Sequence, residues 1–270
     1  MKDELPNKIE TWLETQGYNL EMYSSRIFRD NGFTVAQSVY YLDPDDTKPR
    51  EIDLVCYYTK TIEDVSFHLT FVIECKKSND KPWLVFKSKR NFKKYLKYDD
   101  IEGTHNGLEL LKQIKLTRLG KRKTTIDFLE FENTQFGHGV TQAFTSGSDT
   151  TYAATTTVLK ATRYFVEKYK KTKVKLCSLY FPIVILDGRL FDIELQDDSK
   201  MGIKEVNESK LLQIRSDLNK TNIIQIVTKD NLNEYCKKLK LHCDKFFKTY
   251  SKEIGETAKS NPYSGWGFFL

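Results

Sequence analysis

The stretch from Leu176 to Leu186 (Leu-Cys-Ser-Leu-Tyr-Phe-Pro-Ile-Val-Ile-Leu) limits the possible folds more than any other part of the chain. It carries no charge and lacks helical spacing. Such a run suits a strand buried on both faces, and a strand of that kind requires a sheet with cover on each side. Residues 150–171 offer one cover. Ala153, Ala154, Val158, Ala161, Phe165 and Tyr169 give a helix with a small-residue face suited to close packing on a sheet. After the run, Asp187-Gly188 reads as a tight hairpin turn into a strand over Arg189–Leu195. Residues 222–228 read as a late strand and 230–254 as a long Lys-rich amphipathic helix.

The start of the chain has a different rhythm. Residues 6–31 read as helical, with Ile9, Trp12 and Leu13 forming one stripe and Gly17 breaking it. Asn19 is positioned to cap a second segment, in which Leu20, Tyr23 and Ile27 share a side and which Asn31-Gly32 closes. Strands are expected over Phe33–Leu42, 50–58 and 67–75, so the opening order is helix, strand, strand, strand. The middle is less periodic. Residues 79–123 are basic, interleaved with Trp83, Phe86, Phe92, Tyr95 and Tyr98, and partly helical. Asp127–Phe131 is a candidate strand and Phe136-Gly137-His138-Gly139 a loop. No repeat or linker divides the chain. The reading is therefore one domain over residues 1–270, with a core at 8–78 and 150–228, a basic insertion at about 79–135, and a C-terminal helix and aromatic tail at 229–270.

Two strings within the β-prone runs carry charge where charge is normally excluded. They are Arg50-Glu51-Ile52-Asp53-Leu54-Val55 and Phe71-Val72-Ile73-Glu74-Cys75-Lys76-Lys77, and Asp53 and Glu74 lie 21 residues apart. Alternation along a strand sends Glu74 and Lys76 to one side and Ile73 and Cys75 to the other. If the two runs are neighbours, Asp53, Glu74 and Lys76 converge. Two carboxylates beside an ammonium suit a hard divalent cation and the chemistry of phosphodiester cleavage. The bland alternative is a strand-end Asp beside a surface Glu–Lys pair worth under ~1 kcal/mol. The apolar Phe71-Val72-Ile73 ahead of Glu74 argues against it.

Charge is unevenly distributed. Lys76–Lys123 holds 15 Lys and Arg against 5 Asp and Glu, more than the +6 surplus of the whole chain, so the remainder is net acidic. A concentrated basic segment is a footprint for a polyanion; its alternative is a solvated Lys-rich face. Five scattered cysteines with no CxxC pair suggest neither a zinc site nor a disulfide framework, and reduced cytoplasmic thiols are expected. Four widely spaced His argue against a His-based metal site. No stretch approaches a membrane span or a signal peptide. P-loop, GxGxxG and GxSxG motifs are absent, so nucleotide hydrolysis in this chain and serine catalysis are not indicated.

The element order, Glu51-Ile52-Asp53 and Glu74-Cys75-Lys76 resemble the PD-(D/E)xK, or restriction-endonuclease-like, nuclease superfamily. Glu21 in the preceding helix and Asn31-Gly32-Phe33 after it strengthen the likeness, which covers residues ~20–78 best. Ile52 stands where the name-giving motif has Pro, a position that is loose in the family. The resemblance implies an α/β fold with an αβββαβ core, a mixed central sheet and flanking helices. It implies a Mg²⁺- or Mn²⁺-dependent nuclease acting on nucleic acid, with DNA as the expected substrate, in restriction, phage defence or repair. Asp53 and Glu74 would hold the cation, with the Cys75 backbone carbonyl as a third ligand. Lys76 would orient or activate water or stabilise the transition state, and Glu21 would touch a second metal or a bound water. For Glu21 an exposed helix-start carboxylate is an almost equal reading. Glu10 and Glu14 are rivals before the Gly17 break, and Glu51 is a rival to Asp53 on the same strand face. Lys77, Ser78, Lys81 and Gln142 are candidate substrate contacts. Trp83, after Lys81-Pro82, is either a base-stacking ring or a core aromatic. A homodimer or a partner protein in a larger complex is compatible with this reading, as is a catalytically idle binding module on the same fold.

Overall fold

The computed structural model describes residues 4–87, 101–118, 135–145, 149–170, 175–197, 199–215 and 220–260. The expected strand at Asp127–Phe131, the tail beyond Ser260 and the aromatics Phe92, Tyr95 and Tyr98 lie outside them. Two helices open the chain, α1 (Leu5–Thr15) and α2 (Tyr18–Asp30), followed by strands β1 (Thr34–Leu42), β2 (Pro49–Ile62) and β3 (Val65–Lys87). Next come β4 (Glu102–Gly103), α3 (His105–Arg118), β5 (Gly137–Gln142) and α4 (Thr150–Lys170). The last part holds β6 (Leu176–Leu195), β7 (Met201–Val206), β8 (Glu208–Arg215), β9 (Lys220–Thr228), α5 (Leu232–Thr249) and α6 (Ser251–Ser260). Helix α2 begins at Gly17–Tyr18, so Asn19 lies inside it rather than capping it. Asn31 and Gly32 close α2, and the left-handed φ of +86° at Gly32 suits glycine.

The protein is mixed α/β. Strands β1, β2 and β3 form an antiparallel meander, and β6 lies parallel to β3 on the far side. All positions of β6 from Leu176 to Leu186 are buried, as expected of a strand covered on both faces. Its odd residues Cys177, Leu179, Phe181, Ile183 and Ile185 pack with Phe28 of α2, Leu110 of α3 and Leu239 and Phe246 of α5. Its even residues Tyr180, Val184 and Leu186 pack with Ala154, Val158, Ala161 and Phe165 of α4. Helix α4 thus covers one face, as its small residues indicated, although Ala153 is exposed and Thr155 and Thr162 are buried instead.

Three expectations are corrected. Asp187-Gly188 makes no turn, because β6 runs unbroken to Leu195. Gly188 is there for proximity: a Cβ on it would meet the Ser78 carbonyl oxygen at 2.4 Å. Phe136–Gly139 is not a loop, since Gly137 opens β5, and a Cβ there would meet Val85 Cγ1 at 2.2 Å. Strand β3 does not end near Cys75. It passes a bulge in which residues 79–82 face only Arg189 of β6, then resumes at Trp83. Beyond the bulge β3 pairs with β5, and the chain of pairings β3–β5–β8–β9–β6–β3 closes a ring at this end of the sheet.

Candidate active site

The candidate site lies where β2 and β3 part. Their ladder ends at Leu54–Ile73, yet β2 stays on β1 down to Pro49 and β3 stays on β6 through Ser78. Directly opposite Asp53, Ser38 of β1 takes a left-handed φ of 51°, and the β1–β2 ladder skips that pair. Asp53 therefore sits in a wedge free of strand partners. Its Oδ2 accepts the Cys75 amide at 2.6 Å, standing in for a backbone acceptor. One β3 position back, Glu74 is 4% exposed, and its Oε1 receives Lys76 Nζ at 2.6 Å. Alternation holds here: Ile73 and Cys75 face α2, where the Cys75 thiol meets Ser24 Oγ at 4.0 Å, and Val72 faces α4.

The wedge holds more negative than positive charge. Burial pushes Glu74 up to about 7, with Asp53 adding to the rise and Lys76 opposing it. Burial also raises Asp53, against the Cys75 amide and Lys76, with Glu51 adding to the rise. Glu21, half-buried on α2, is pushed up to about 7 by burial and by the charges of Asp53 and Glu51. Burial alone would lower Lys76, but Glu74 and Asp53 more than reverse that and hold it protonated. Four carboxylates (Glu21, Glu51, Asp53 and Glu74) thus act on one another around one ammonium. Glu74 Oε2 is buried with no hydrogen-bond partner, a deficit of about 1–3 kcal/mol for a polar group.

Among the described residues no three His, Cys, Asp or Glu side chains form a ready metal cage. A small hard cation does not need one, because Mg²⁺ commonly binds through one or two carboxylates and keeps waters on its other positions. The donors here are all carboxylate oxygens, one of them unmatched, in a place where negative charge exceeds positive. This donor set fits a hard divalent cation. Compared with known proteins, the chain matches no family model, no curated protein and no solved structure.

The structure brings Asp53, Glu74, Lys76 and Glu21 into one electrostatic unit, and Cys75 joins it through its amide. Glu51 is exposed but near enough to act on Asp53 and Glu21, whereas Glu10 lies on the exposed surface of α1. Lys77 is half-buried and opposite Asp187 of β6. Ser78 and Gln142 are buried together: Gln142 Nε2 donates to Ser78 Oγ at 2.7 Å, and Ser78 Oγ donates to the Lys81 carbonyl at 2.5 Å. They fasten the bulge rather than face solvent. Trp83 is fully buried against α4, so its ring belongs to the core and is not a stacking surface. Tyr41 joins this group. It is buried near Glu74, and burial together with Asp43 and Glu74 pushes its hydroxyl up to about 12. In the sequence it reads only as one more strand aromatic.

Proposed function

We propose that this chain is a divalent-metal-dependent nuclease that hydrolyses phosphodiester bonds, in DNA above all, on a restriction-endonuclease-like core formed by α2, β1–β3, α4 and β6. The observation that carries this reading is the unmatched buried Glu74 carboxylate beside Asp53 and Lys76 in the wedge between β2 and β3. A carboxylate excess with an oxygen left over has no folding rationale, and a bound cation would supply the missing partner.

A divalent cation bound there supplies Lewis acidity toward a phosphate oxygen. Asp53 and Glu74 would hold it, and the strand scaffold fixes both more firmly than a loop would. Lys76 is held protonated next to Glu74, so its ammonium is positioned to orient the attacking water or to meet charge developing on phosphorus oxygens. Glu21, with its carboxyl raised to about 7, is able to take or release a proton near neutral pH. Lys76, Lys77 and Lys81 on β3 and its bulge draw the phosphate backbone toward a wedge that would otherwise repel it.

The test is incubation of the purified chain with plasmid DNA in Mg²⁺ or Mn²⁺, against the same mixture with EDTA. Cutting is expected only with the metal, and Asp53→Asn and Lys76→Ala should lose it while melting as cooperatively as the parent. Cutting that survives EDTA, or that both variants retain in full, would refute the reading.

A further inference from the structure

Phe144 is 85% exposed, the most exposed large hydrophobic among the described residues. It also adopts a left-handed φ of 57°, a region costly for any bulky L residue. The residue is thus unfavourable twice, in its backbone and in its solvation. Such strain persists only where the surroundings impose it.

The surroundings do impose it. Gln142, two residues before, is locked to Ser78 of β3 at 2.7 Å, and the Ala143 amide donates to the Pro82 carbonyl at 2.9 Å. On the other side, Asp149 accepts bonds from Thr141 Oγ1 at 3.0 Å and from the Thr151 amide at 2.8 Å, tying β5 to the start of α4. The ring is therefore displayed from a braced turn against the bulge of β3. Ser78, the inner end of the brace, lies two strand positions from Lys76, about 7 Å along the chain. The bulge itself carries Lys81.

We infer that Phe144 is a stacking wedge for the nucleic-acid strand entering the candidate site, packing on an unpaired or partly unstacked base while Lys76, Lys77 and Lys81 contact phosphates. This inference rests on the nuclease reading above and narrows its substrate to single strands or duplexes with an open base step. An aromatic face next to cationic side chains complements a strand that presents both bases and phosphates. The exposed Tyr152 on the first turn of α4, beside Thr151, stands on the same braced junction and is available for a neighbouring base.

The experiment measures fluorescence anisotropy of a labelled oligothymidine strand titrated with the full chain in EDTA, alongside thermal melts and metal-dependent plasmid cutting. Phe144→Ala should weaken binding about tenfold, and Phe144→Trp should restore it, with indole emission quenched on binding. Phe144→Gly should bind as weakly as the Ala variant while melting at or above the parent's midpoint, because glycine adopts this φ without strain. If Phe144→Ala binds the strand as the parent does while cutting of plasmid remains metal-dependent, the wedge is refuted and the nuclease reading stands. If the parent neither binds the strand nor cuts plasmid, both fall.

Discussion

The two halves of β3 bury polar groups to a similar depth but treat them differently. Beyond the bulge the buried charge is matched, although the neutral Trp83 Nε1 there is buried without a hydrogen-bond partner. Lys87 pairs with Asp192 at 3.3 Å and donates to the Gln135 carbonyl at 3.0 Å, and Asp192 also receives Ser209 Oγ at 2.8 Å. Before the bulge, Glu74 shares one oxygen with Lys76 and leaves the other unmatched, among carboxylates that raise one another. A buried charge is thus a poor pointer to function when it is balanced, as at Lys87. A buried imbalance in a wedge between strands is a better one.

Four substitutions probe this contrast, from the largest expected effect to the smallest. Lys76→Ala should slow metal-dependent cutting by roughly 100-fold or more, read as the rate of plasmid nicking, because under the proposed nuclease reading it removes a charge aimed at the reacting phosphate. In the other half, Lys87→Met takes away the counter-charge of Asp192 and leaves it only the Ser209 hydroxyl. It should lower stability by about 1–3 kcal/mol in urea unfolding while leaving the cutting rate per folded molecule unchanged. A Lys87 variant that folds normally but cannot cut would break the contrast.

Glu74→Gln tests the same imbalance through pH. The folded chain holds the Glu74 proton up to about 7, above the usual value of 4.5, so it binds that proton more tightly than the unfolded chain does. The stability this gives is complete below the unfolded value and is lost as pH rises through the folded one. The Gln variant mimics the protonated form. It should match the parent near about pH 4 and exceed it by on the order of 1 kcal/mol near about pH 8 in melts without metal, while losing cutting at both. Smallest of all, Ser78→Ala deprives the Gln142 amide of its acceptor and should cost about 1 kcal/mol in the same urea assay.

Local rules served well where burial and alternation act alone. The doubly buried β6, the small-residue face of α4 and the convergence of Asp53, Glu74 and Lys76 were all legible, since each follows from face periodicity. They failed where a residue's reason lies in a distant segment. Gly188 looks like a turn residue, but its missing Cβ makes room for the Ser78 carbonyl from β3. Ser78-Asn79-Asp80-Lys81-Pro82 has the composition of a strand end. The bonds from Gln142 and Ala143 instead make it a bulge, after which the strand resumes. The expected helix over 230–254 divides at Tyr250 into α5 and α6, with the buried Tyr250 ring packed on Phe246 at the junction. At the candidate site, the carboxylates and the lysine could be read from their strands. The parting of β2 from β3 could not, because it depends on the irregularity at Ser38 and on β5 taking over the side of β3 that β2 leaves.

Calorimetric titration of Mn²⁺ into the chain near neutral pH, repeated in buffers of different ionisation enthalpy, tests the central claim most directly. Binding that releases protons is predicted, since Glu21 and Glu74 are poised near 7 and a cation must displace what they hold, and the Asp53→Asn, Glu74→Gln double variant should give no binding heat. A parent that binds no Mn²⁺, or a double variant that binds it as tightly as the parent, would contradict the account.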